Sequence, residues 1–428
     1  MFFKNNKEPH EVFTPRQSKV NPNMYVARPD LEARLRQSLT GTQHVIVHGE
    51  SGTGKSWLYK KVLADMQAVV LPINLANASR FGGIAAEMKN ALERLGTATQ
   101  TGYSETKSSE MTAVLATGGL EHEKTFALGT KEPFEACCAH LRKEAGKHPA
   151  CIVFDNLETI FESDEMMNEL ANLIVLLDDE RYSEYRIKML IVGVPTGVRD
   201  YFNRTRNRAT VANRLQEIPE VSRLSQSQTA ELVKKGFVQE LAYDVQSDVL
   251  SRVTEHVAWV SDRIPQRIHE YCLEIAQLAQ ERDKLVGVDL LEVADAHWLS
   301  RSLSNTYSVI ENLMNERDTK IGRRNQVLFC LGRVEGDEIR LSEIEALVRT
   351  EFSRTTENKT LDISTLLSRL AQGDDGVAPV LRRSPKGDTY QFADPMFRMC
   401  IRAMLIKDSE RQVVSKRSIS TIAAGGAV

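Results

Sequence analysis

A glycine-rich loop between an apolar run and a helical pattern is the feature that most constrains this chain. Residues 43–62 read QHVIVHGESGTGKSWLYKKV and contain the pattern GxxxxGK[ST]. The apolar residues before the loop, Val45 to Val47, predict a strand buried on both faces. Helical spacing follows the loop at Trp57, Leu58 and Val62. A strand, a loop and a helix in this order predict a phosphate-binding loop, against the alternative of a glycine turn without function.

Each residue type in the loop suits phosphate chemistry. Glycines let backbone N–H groups converge on phosphate oxygens, and the following helix adds its positive dipole end. Lys55 supplies a charge to the β- and γ-phosphates of ATP, and the Ser56 hydroxyl is placed to bind Mg²⁺. The predicted nucleotide-binding residues are Gly49, Glu50, Ser51, Gly52, Thr53, Gly54, Lys55, Ser56 and Trp57.

A second apolar run ends in a carboxylate. Residues 150–158 read ACIVFDNLE, which places Asp155 at the end of a buried strand. A carboxylate there can hold Mg²⁺ directly or through water, while an aspartate in a strand-end turn is the purely structural alternative. Many ATPases of this kind carry a glutamate next, but here the residue is Asn156, whose amide cannot accept a proton from water. Glu158 is the carboxylate that could replace it, so we expect slow hydrolysis.

Two further strands are predicted along the chain. MLIVGVPT (189–196) is apolar and ends in Thr196, whose hydroxyl could contact the γ-phosphate. RLQEIPEV (214–221) alternates in polarity and follows an arginine-rich stretch. The arginines of this stretch are Arg199, Arg204, Arg206, Arg208 and Arg214. For four of these five, a solvated basic face is the favoured interpretation.

Together these segments resemble the AAA+ ATPases, and within them the initiator-like and STAND branch that includes bacterial transposition-regulator and origin-initiator-like ATPases. GESGTGKS is similar to the Walker A motif and CIVFDNLE to Walker B. MYVARPDLEARLRQSL (24–39) is similar to the segment that precedes the loop and contacts the base. The resemblance implies that Thr196 is the polar residue of the first sensor. It also implies that Arg214 is the finger that reaches a neighbouring subunit's γ-phosphate.

The second sensor of that family has a weaker counterpart. SDRIPQRIHEYC (261–272) resembles the segment that opens the lid helix, but Gln266 stands where the family usually places an arginine. Arg267 and Arg263 are the alternatives that the sequence offers for this role.

The resemblance implies an α/β fold, with a three-layer P-loop AAA+ core around a parallel sheet, a helical lid and a C-terminal winged-helix domain. Three amphipathic segments between residues 325 and 374, followed by strand candidates VAPVLRRS and TYQFADP, favour the winged helix. The predicted divisions are an N-terminal extension (1–22), the ATPase core (23–221) with a flexible insertion (97–131), the lid (222–300), the winged helix (301–406) and a disordered tail (407–428).

Composition excludes several other classes of protein. With 42% hydrophobic and 26% charged residues the chain is an ordinary globular protein, and no apolar run suits a membrane span. The N-terminus lacks the apolar region of a secretory signal. Six cysteines without a CxxC pair disfavour a disulfide scaffold or a zinc ribbon and favour reduced thiols in the cytoplasm. A net charge of −3 means that any nucleic-acid contact needs a local basic patch.

The function expected from the sequence is an ATP-binding switch that hydrolyses ATP slowly, forms a homo-oligomer and signals its nucleotide state to a protein or DNA partner. Asn156 and Gln266 disfavour a processive motor. A DNA-binding adaptor with structural ATP and a STAND-type sensor in bacterial defence or mobile-element regulation are the alternatives. Both DNA binding and protein docking stay open for the C-terminal domain, where the basic residues of the wing are Arg382, Arg383 and Lys386.

Overall fold

Two compact units make up the chain. The computed structural model describes residues 7–95, 132–193, 202, 208–315, 322–373, 378–384, 387–410 and 412–417. The core unit consists of Ser18–Val20 and Ala27–Ser222. The helical unit consists of Met1–Gln17, Asn21–Val26 and Arg223–Val428. The predicted insertion (97–131) lies outside the described residues.

A parallel sheet forms the centre of the core unit. Its strands are β1 (His44–His48), β2 (Val69–Asn74), β3 (Ala150–Asp155), β4 (Ile187–Gly193) and β5 (Leu215–Glu217). Their order across the sheet is β2-β3-β4-β1-β5, and every neighbouring pair is parallel. The inner strands β1, β3 and β4 are buried almost throughout, as their apolar runs predicted. This confirms the α/β fold.

Helices account for most of the remaining described residues. In chain order they are α1 (Pro9–Val12), α2 (Pro29–Thr40), α3 (Lys55–Asp65), α4 (Leu75–Phe81), α5 (Ile84–Arg94), α6 (Pro133–Ala145), α7 (Asp164–Leu176), α8 (Glu180–Ser183), α9 (Arg208–Ala212), α10 (Gln226–Lys234), α11 (Ser247–Val260), α12 (Pro265–Gln280), α13 (Leu290–Arg301), α14 (Ser304–Leu313), α15 (Arg323–Arg333), α16 (Leu341–Glu351), α17 (Ser353–Thr356), α18 (Ile363–Gln372) and α19 (Pro395–Met404). A 3₁₀ turn spans Leu157–Ile160, and a π-helix over Lys235–Glu240 continues α10. None of the described helices is long and apolar enough to cross a bilayer.

Helices cover both faces of the sheet. Alternate residues of a strand point to opposite faces, so Val45 and Val47 of β1 pack with Leu58 of α3, in one cluster with residues of α2. Ile46, between them, belongs to the other cluster, which contains Met88 of α5 and residues of α6 and α7. The core unit therefore has the three layers that were predicted for it.

Strand β2 was not predicted from the sequence. It contains Pro72, which has no backbone N–H to donate and is tolerated mainly on edge strands. β2 is indeed the edge of the sheet and pairs only with β3 among the described strands, with Asn74 opposite Asp155. This register brings an unpredicted polar side chain beside a predicted site residue.

The N-terminal residues form part of the helical unit. Phe13 is fully buried, with its ring 5.1 Å from that of Phe237. A Cβ on Gly236 would lie 2.2 Å from the Phe13 ring, so this position of the π-helix requires glycine. The backbone N–H of Thr14 donates to Nδ1 of His269 at 3.1 Å. Residues within the predicted extension (1–22) are therefore packed into a hydrophobic core.

The C-terminal half of the helical unit contains the elements expected there. Helices α15, α16 and α18 are followed by the antiparallel pair β6 (Leu381–Arg383) and β7 (Tyr390–Phe392). Ile339 makes an isolated antiparallel bridge to Tyr390. The assignment of this region as a winged helix stays a prediction.

The predicted disordered tail (407–428) is wrong for its first residues. Strands β8 (Leu405–Asp408) and β9 (Val413–Lys416) form an antiparallel hairpin. Val414 is 3% exposed, and its carbonyl accepts from Asn325 Nδ2 at 3.3 Å. Two contacts therefore order this short stretch. The Val414 side chain is buried, and buried polar side chains of α15 donate hydrogen bonds to the backbone of the stretch. Residues 418–428 lie outside the described part.

Candidate functional site: a phosphate loop beside an acidic strand end

The predicted phosphate loop joins β1 to α3. A Cβ on Gly49 would lie 2.4 Å from the carbonyl oxygen of Val221, so only glycine fits this close approach. Gly54 stands at the start of α3 with a φ of 92°, a left-handed conformation that favours glycine. Steric constraints thus explain why glycine occupies the first and last of these positions. The first N–H groups of the eleven-residue helix α3 follow the loop directly.

Lys55 is the first residue of α3 and is held by the loop itself. Its Nζ donates to the carbonyl oxygens of Gly49 at 2.7 Å and Glu50 at 2.8 Å. Burial lowers the pKa of Lys55, and the carboxylates of Glu158 and Asp155 act in the opposite direction. The ammonium therefore lies in a half-buried position whose surroundings are acidic, which is the electrostatic setting that a cation needs when water is excluded.

Arg28 fixes the loop from the segment before β1. Its Nη2 donates to the carbonyl of Thr53 at 2.8 Å, and its Nη1 donates to the carbonyl of Ser222 at 2.9 Å. Thr53 is buried, and its hydroxyl donates to the carbonyl of Glu50 at 2.8 Å. Sequence reasoning singled out the segment 24–39 but not this contact, because a resemblance to a base-binding segment does not indicate which backbone atoms an arginine reaches.

Asp155 ends β3 and is bonded to α3. Tyr59 Oη donates to Asp155 Oδ2 at 3.2 Å, and the backbone N–H of Asn156 donates to Asp155 Oδ1 at 2.9 Å. Burial raises the pKa of Tyr59 above its ordinary value of 10.0, and the negative charge of Asp155 adds to the effect. The phenol therefore stays protonated and acts as a donor. Tyr59 was missed because its position suits an ordinary core residue of an amphipathic helix.

Asn156 occupies a conformation that few residue types tolerate. Its φ is 64°, in the left-handed region where asparagine is several-fold enriched. Its Nδ2 donates to Oδ1 of Asn74 at 2.9 Å, and the same oxygen caps α4 by accepting from the backbone N–H of Ala76. The side-chain amides of Asn156 and Asn74 thus lie beside Asp155. Asn74 was not predicted as a site residue, because its strand was not predicted either.

Glu158 lies on the 3₁₀ turn after Asn156 and is exposed. It is the carboxylate with the largest charge effect on Lys55, so the structure brings it near the loop lysine. Thr196, the predicted first-sensor residue, lies outside the described residues.

Arg214 lies at the opposite end of β1 from the loop. Its carbonyl accepts from the backbone N–H of His44, the first residue of β1, whereas the loop follows the last residue, His48. Five strand residues span roughly 13–16 Å at about 3.3 Å each. The Arg214 side chain is bonded to Asp178 at 2.5 Å and to the carbonyl of Thr210 at 2.9 Å. It therefore does not join the loop of its own chain.

The second-sensor candidates belong to the helical unit. Arg267 Nη1 lies 2.7 Å from Glu270 Oε2, and Gln266 Nε2 donates to the other oxygen of Glu270 at 3.1 Å. Arg263 is exposed and has a φ of 58°. Within the helical unit, Arg267 is therefore engaged by a buried carboxylate, while Arg263 is directed to solvent.

Oxygen donors suited to Mg²⁺ stand on both sides of the site. Ser56 lies in the first turn of α3, and the Asp155 carboxylate lies at the end of β3. Among the described residues no group of three or more histidine, cysteine or acidic side chains could hold a metal ion. Mg²⁺ that is bound together with phosphates usually takes one or two protein ligands, and phosphate oxygens and water supply the rest.

Comparisons with known proteins agree with this geometry. Residues 37–202 match the family model described as an AAA domain. The Walker-type ATPase PABY2304 of Pyrococcus abyssi superposes with a TM-score of 0.51 at 18% identity, over 91% of this chain and 99% of that one. The ORC2 protein of Aeropyrum pernix, in its ADPNP–ADP complexes, gives a TM-score of 0.50 at 14% identity, over 92% and 96%. No curated protein sequence matches the chain. Residues 37–202 are therefore similar to an AAA domain, and the chain shares the fold of the Walker-type ATPase and of the ORC2 protein.

Proposed function

We propose that the chain binds ATP with Mg²⁺ at residues 49–57 and works as a slow nucleotide-dependent switch. The single observation that carries this proposal is the hydrogen bond from Tyr59 to Asp155. It holds a carboxylate beside the helix whose first residues are Lys55 and Ser56. In this arrangement Lys55 binds the β- and γ-phosphates, and Ser56 and Asp155 hold the metal, which would neutralise charge on the phosphates.

Slow hydrolysis is supported by the residue that follows Asp155. The Asn156 amide bonds Asn74 and cannot take a proton from water. Glu158 is the alternative base that the sequence offers, but it is exposed on a 3₁₀ turn. An exposed side chain keeps more rotameric freedom than a packed one, and a loosely held base costs catalytic rate.

Oligomerisation is supported by Arg214. Because this side chain lies at the far end of β1 from the loop, a role in phosphate chemistry requires the loop of a second subunit. The ion pair with Asp178 keeps the guanidinium at the edge of the core unit, 28% exposed. A purely structural ion pair is the alternative role for this residue.

A protein partner is favoured over DNA for the C-terminal region. Of the three basic residues predicted on the wing, Lys386 lies outside the described residues. Arg383 donates to Ser368 Oγ at 2.8 Å and lies over the ring of Tyr390. Helix α18 offers only Arg369 as a cation. A reader of the DNA major groove normally presents several basic or amide side chains.

A cytoplasmic location belongs to the same proposal. All six cysteines are free and buried, as expected in a compartment that keeps thiols reduced.

Sedimentation of the purified protein with ATP, ADP or no nucleotide tests the switch. We expect a larger species with ATP than with ADP, and phosphate release well below the roughly 10 s⁻¹ typical of enzymes. One sedimentation coefficient under all three conditions would contradict the oligomeric switch. Turnover at typical enzyme rates without a partner would contradict slow hydrolysis and move the role of base to Glu158.

A further inference from the structure

A cleft opens on the surface of the helical unit. Its volume is about 380 Å³, and helices α11, α15, α16 and α19 and the β8–β9 hairpin contribute to its walls. The residues that carry the argument are Trp259, Arg333, Glu351, Arg402, Ile406 and Lys407. All of them belong to the same compact unit.

Two large apolar side chains are exposed in this cleft. Trp259 is 38% exposed and Ile406 is 39% exposed, whereas most large apolar side chains of the described residues are buried. The guanidinium of Arg402 lies 4.0 Å from the centre of the Trp259 ring. Arg402 is itself fixed, because it donates to the carbonyl of Trp259 at 2.8 Å and to Asp262 at 2.9 Å. The Arg402 guanidinium therefore stacks on the indole while part of Trp259 faces solvent.

Cations outnumber carboxylates on the cleft walls. Glu351 is shared by two of them, with Arg333 at 3.3 Å and Lys407 at 2.7 Å. The fully buried Asp295 pairs with Arg417 at 3.1 Å and lies 3.0 Å from Nε2 of His256. Because Glu351 is one carboxylate between Arg333 and Lys407, positive charge is left for an incoming anion. Burial lowers the pKa of Arg402 to about 10, so this group is still charged at neutral pH.

We propose that this cleft binds an acidic peptide segment of a partner protein. An apolar side chain of the segment covers Trp259 and Ile406, and its carboxylates pair with Arg333 and Lys407. Tryptophan and arginine are the residue types most enriched among the side chains that dominate binding energy at protein interfaces. The inference concerns the helical unit alone and stands whether or not the core unit binds ATP.

A peptide fits this cleft better than a nucleic acid does. Phosphate backbones are bound chiefly by well-exposed lysine and arginine side chains. Here only Arg333 is more than a third exposed, at 43%, whereas Lys407 is 20% and Arg402 6% exposed. The cations alternate with apolar groups inside a cleft instead of lining an open face. A side chain that enters from a peptide reaches both kinds of group at once.

Selection of random displayed peptides on the full-length protein tests the proposal. We expect enrichment of sequences that combine aspartate or glutamate with an aromatic or aliphatic residue. A labelled synthetic copy of the most enriched sequence should then bind the wild type and lose at least tenfold in affinity with Trp259→Ala and with Arg333→Glu. Matched controls in the same unit are Leu285→Ala, an exposed apolar residue outside the cleft, and Arg282→Glu, an exposed arginine paired with Asp289.

Three results would overturn the inference. The first is no enrichment of peptides, or enrichment of sequences without acidic residues. The second is a selected peptide that binds the wild type, Trp259→Ala and Arg333→Glu equally. The third is labelled DNA that displaces the peptide and loses affinity with the same substitutions, which would assign the cleft to nucleic acid. Because Trp259→Ala removes a packed ring, thermal melting should first show that the variant is folded, and Ile406→Asp provides an independent test of the same apolar surface.

Discussion

The hydroxyl of Tyr59 donates a hydrogen bond of 3.2 Å to Oδ2 of Asp155, which joins the helix after the phosphate loop to the acidic end of β3. Both partners come from parts of the sequence that are far apart, and Tyr59 is 2% exposed. The bond is partly buried and orients the carboxylate before any ligand arrives. The side chain that positions Asp155 is thus an ordinary member of the hydrophobic core.

We expect Tyr59→Phe to weaken ATP binding only when Mg²⁺ is present. Loss of one hydrogen bond of about 0.5–1.5 kcal/mol corresponds to a roughly two- to thirteenfold loss of affinity. Titration of a fluorescent ATP analogue in Mg²⁺ and in EDTA measures the effect. Tyr182→Phe, which removes a similar bond to Glu132, should leave both titrations unchanged. An equal loss in Mg²⁺ and EDTA would indicate a general packing defect.

Lys55→Ala should weaken ATP binding at least tenfold, or by about 1.4 kcal/mol, because the variant removes the cation that meets the phosphates. Lys61→Ala is the matched control, since Lys61 lies on the same helix and pairs with Asp65 at the surface. Equal affinity of wild type and Lys55→Ala for the fluorescent analogue would refute the phosphate-binding loop.

Substitution of Asn156 tests both rate and conformation. Asn156→Glu supplies a carboxylate and should raise phosphate release, but it also places a glutamate at a φ of 64°, which costs about 1–2 kcal/mol. Asn156→Asp supplies the carboxylate with a residue that tolerates this conformation. We therefore expect a lower melting temperature for Asn156→Glu than for Asn156→Asp. If neither variant hydrolyses ATP faster than the wild type, the residue after Asp155 does not limit the rate.

Arg214→Ala should abolish hydrolysis while leaving ATP binding nearly intact. Mixing it with Lys55→Ala should restore some activity, because each variant lacks a different half of a shared site. Asp178→Asn is the critical control, since it breaks the same ion pair without removing the guanidinium. Loss of activity with Asp178→Asn, or no recovery in the mixture, would show that Arg214 acts through its structural ion pair.

Stability should rise with pH between about pH 4 and 6.5 because of His269. Burial lowers the pKa of this histidine to about 4, from 6.5. In this pH range the unfolded chain binds a proton that the folded chain does not, so acid favours unfolding by about 1.4 kcal/mol per pH unit for one such group. Urea unfolding of the wild type and His269→Asn at about pH 5 and pH 7 measures this, and the variant should show a smaller pH dependence. His44, also with a pKa lowered to about 4, should account for a further part of the slope in the core unit.

The phosphate loop and the inner strands could be predicted because their signals are local. Val45 to Val47 and the run before Asp155 are continuous apolar segments, and such segments are read from sequence without knowledge of their neighbours. The edge strand β2 could not be predicted in this way, because Pro72 breaks the pattern and only its position at the sheet edge makes proline acceptable.

Contacts between segments that are distant in the chain could not be predicted from the sequence. Asn74, Tyr59 and Arg28 reach Asn156, Asp155 and Thr53 through the register of the sheet and the path of the chain. No spacing rule predicts such contacts. The hairpin at residues 405–416 was missed for a similar reason, since Val414 is buried only because a helix from earlier in the chain supplies the other surface.

The burial of Phe13 against later residues affects how the chain folds during its synthesis. Thr14 and its partner His269 are separated by 255 residues, so the N-terminal segment leaves the ribosome long before its binding surface exists. At roughly 5–20 residues per second this interval is on the order of 10–50 s. Throughout this interval the phenylalanine ring lacks its native packing partners, and the core unit is synthesised in between. The segment around Phe13 therefore cannot complete its native packing until residues up to His269 have been translated.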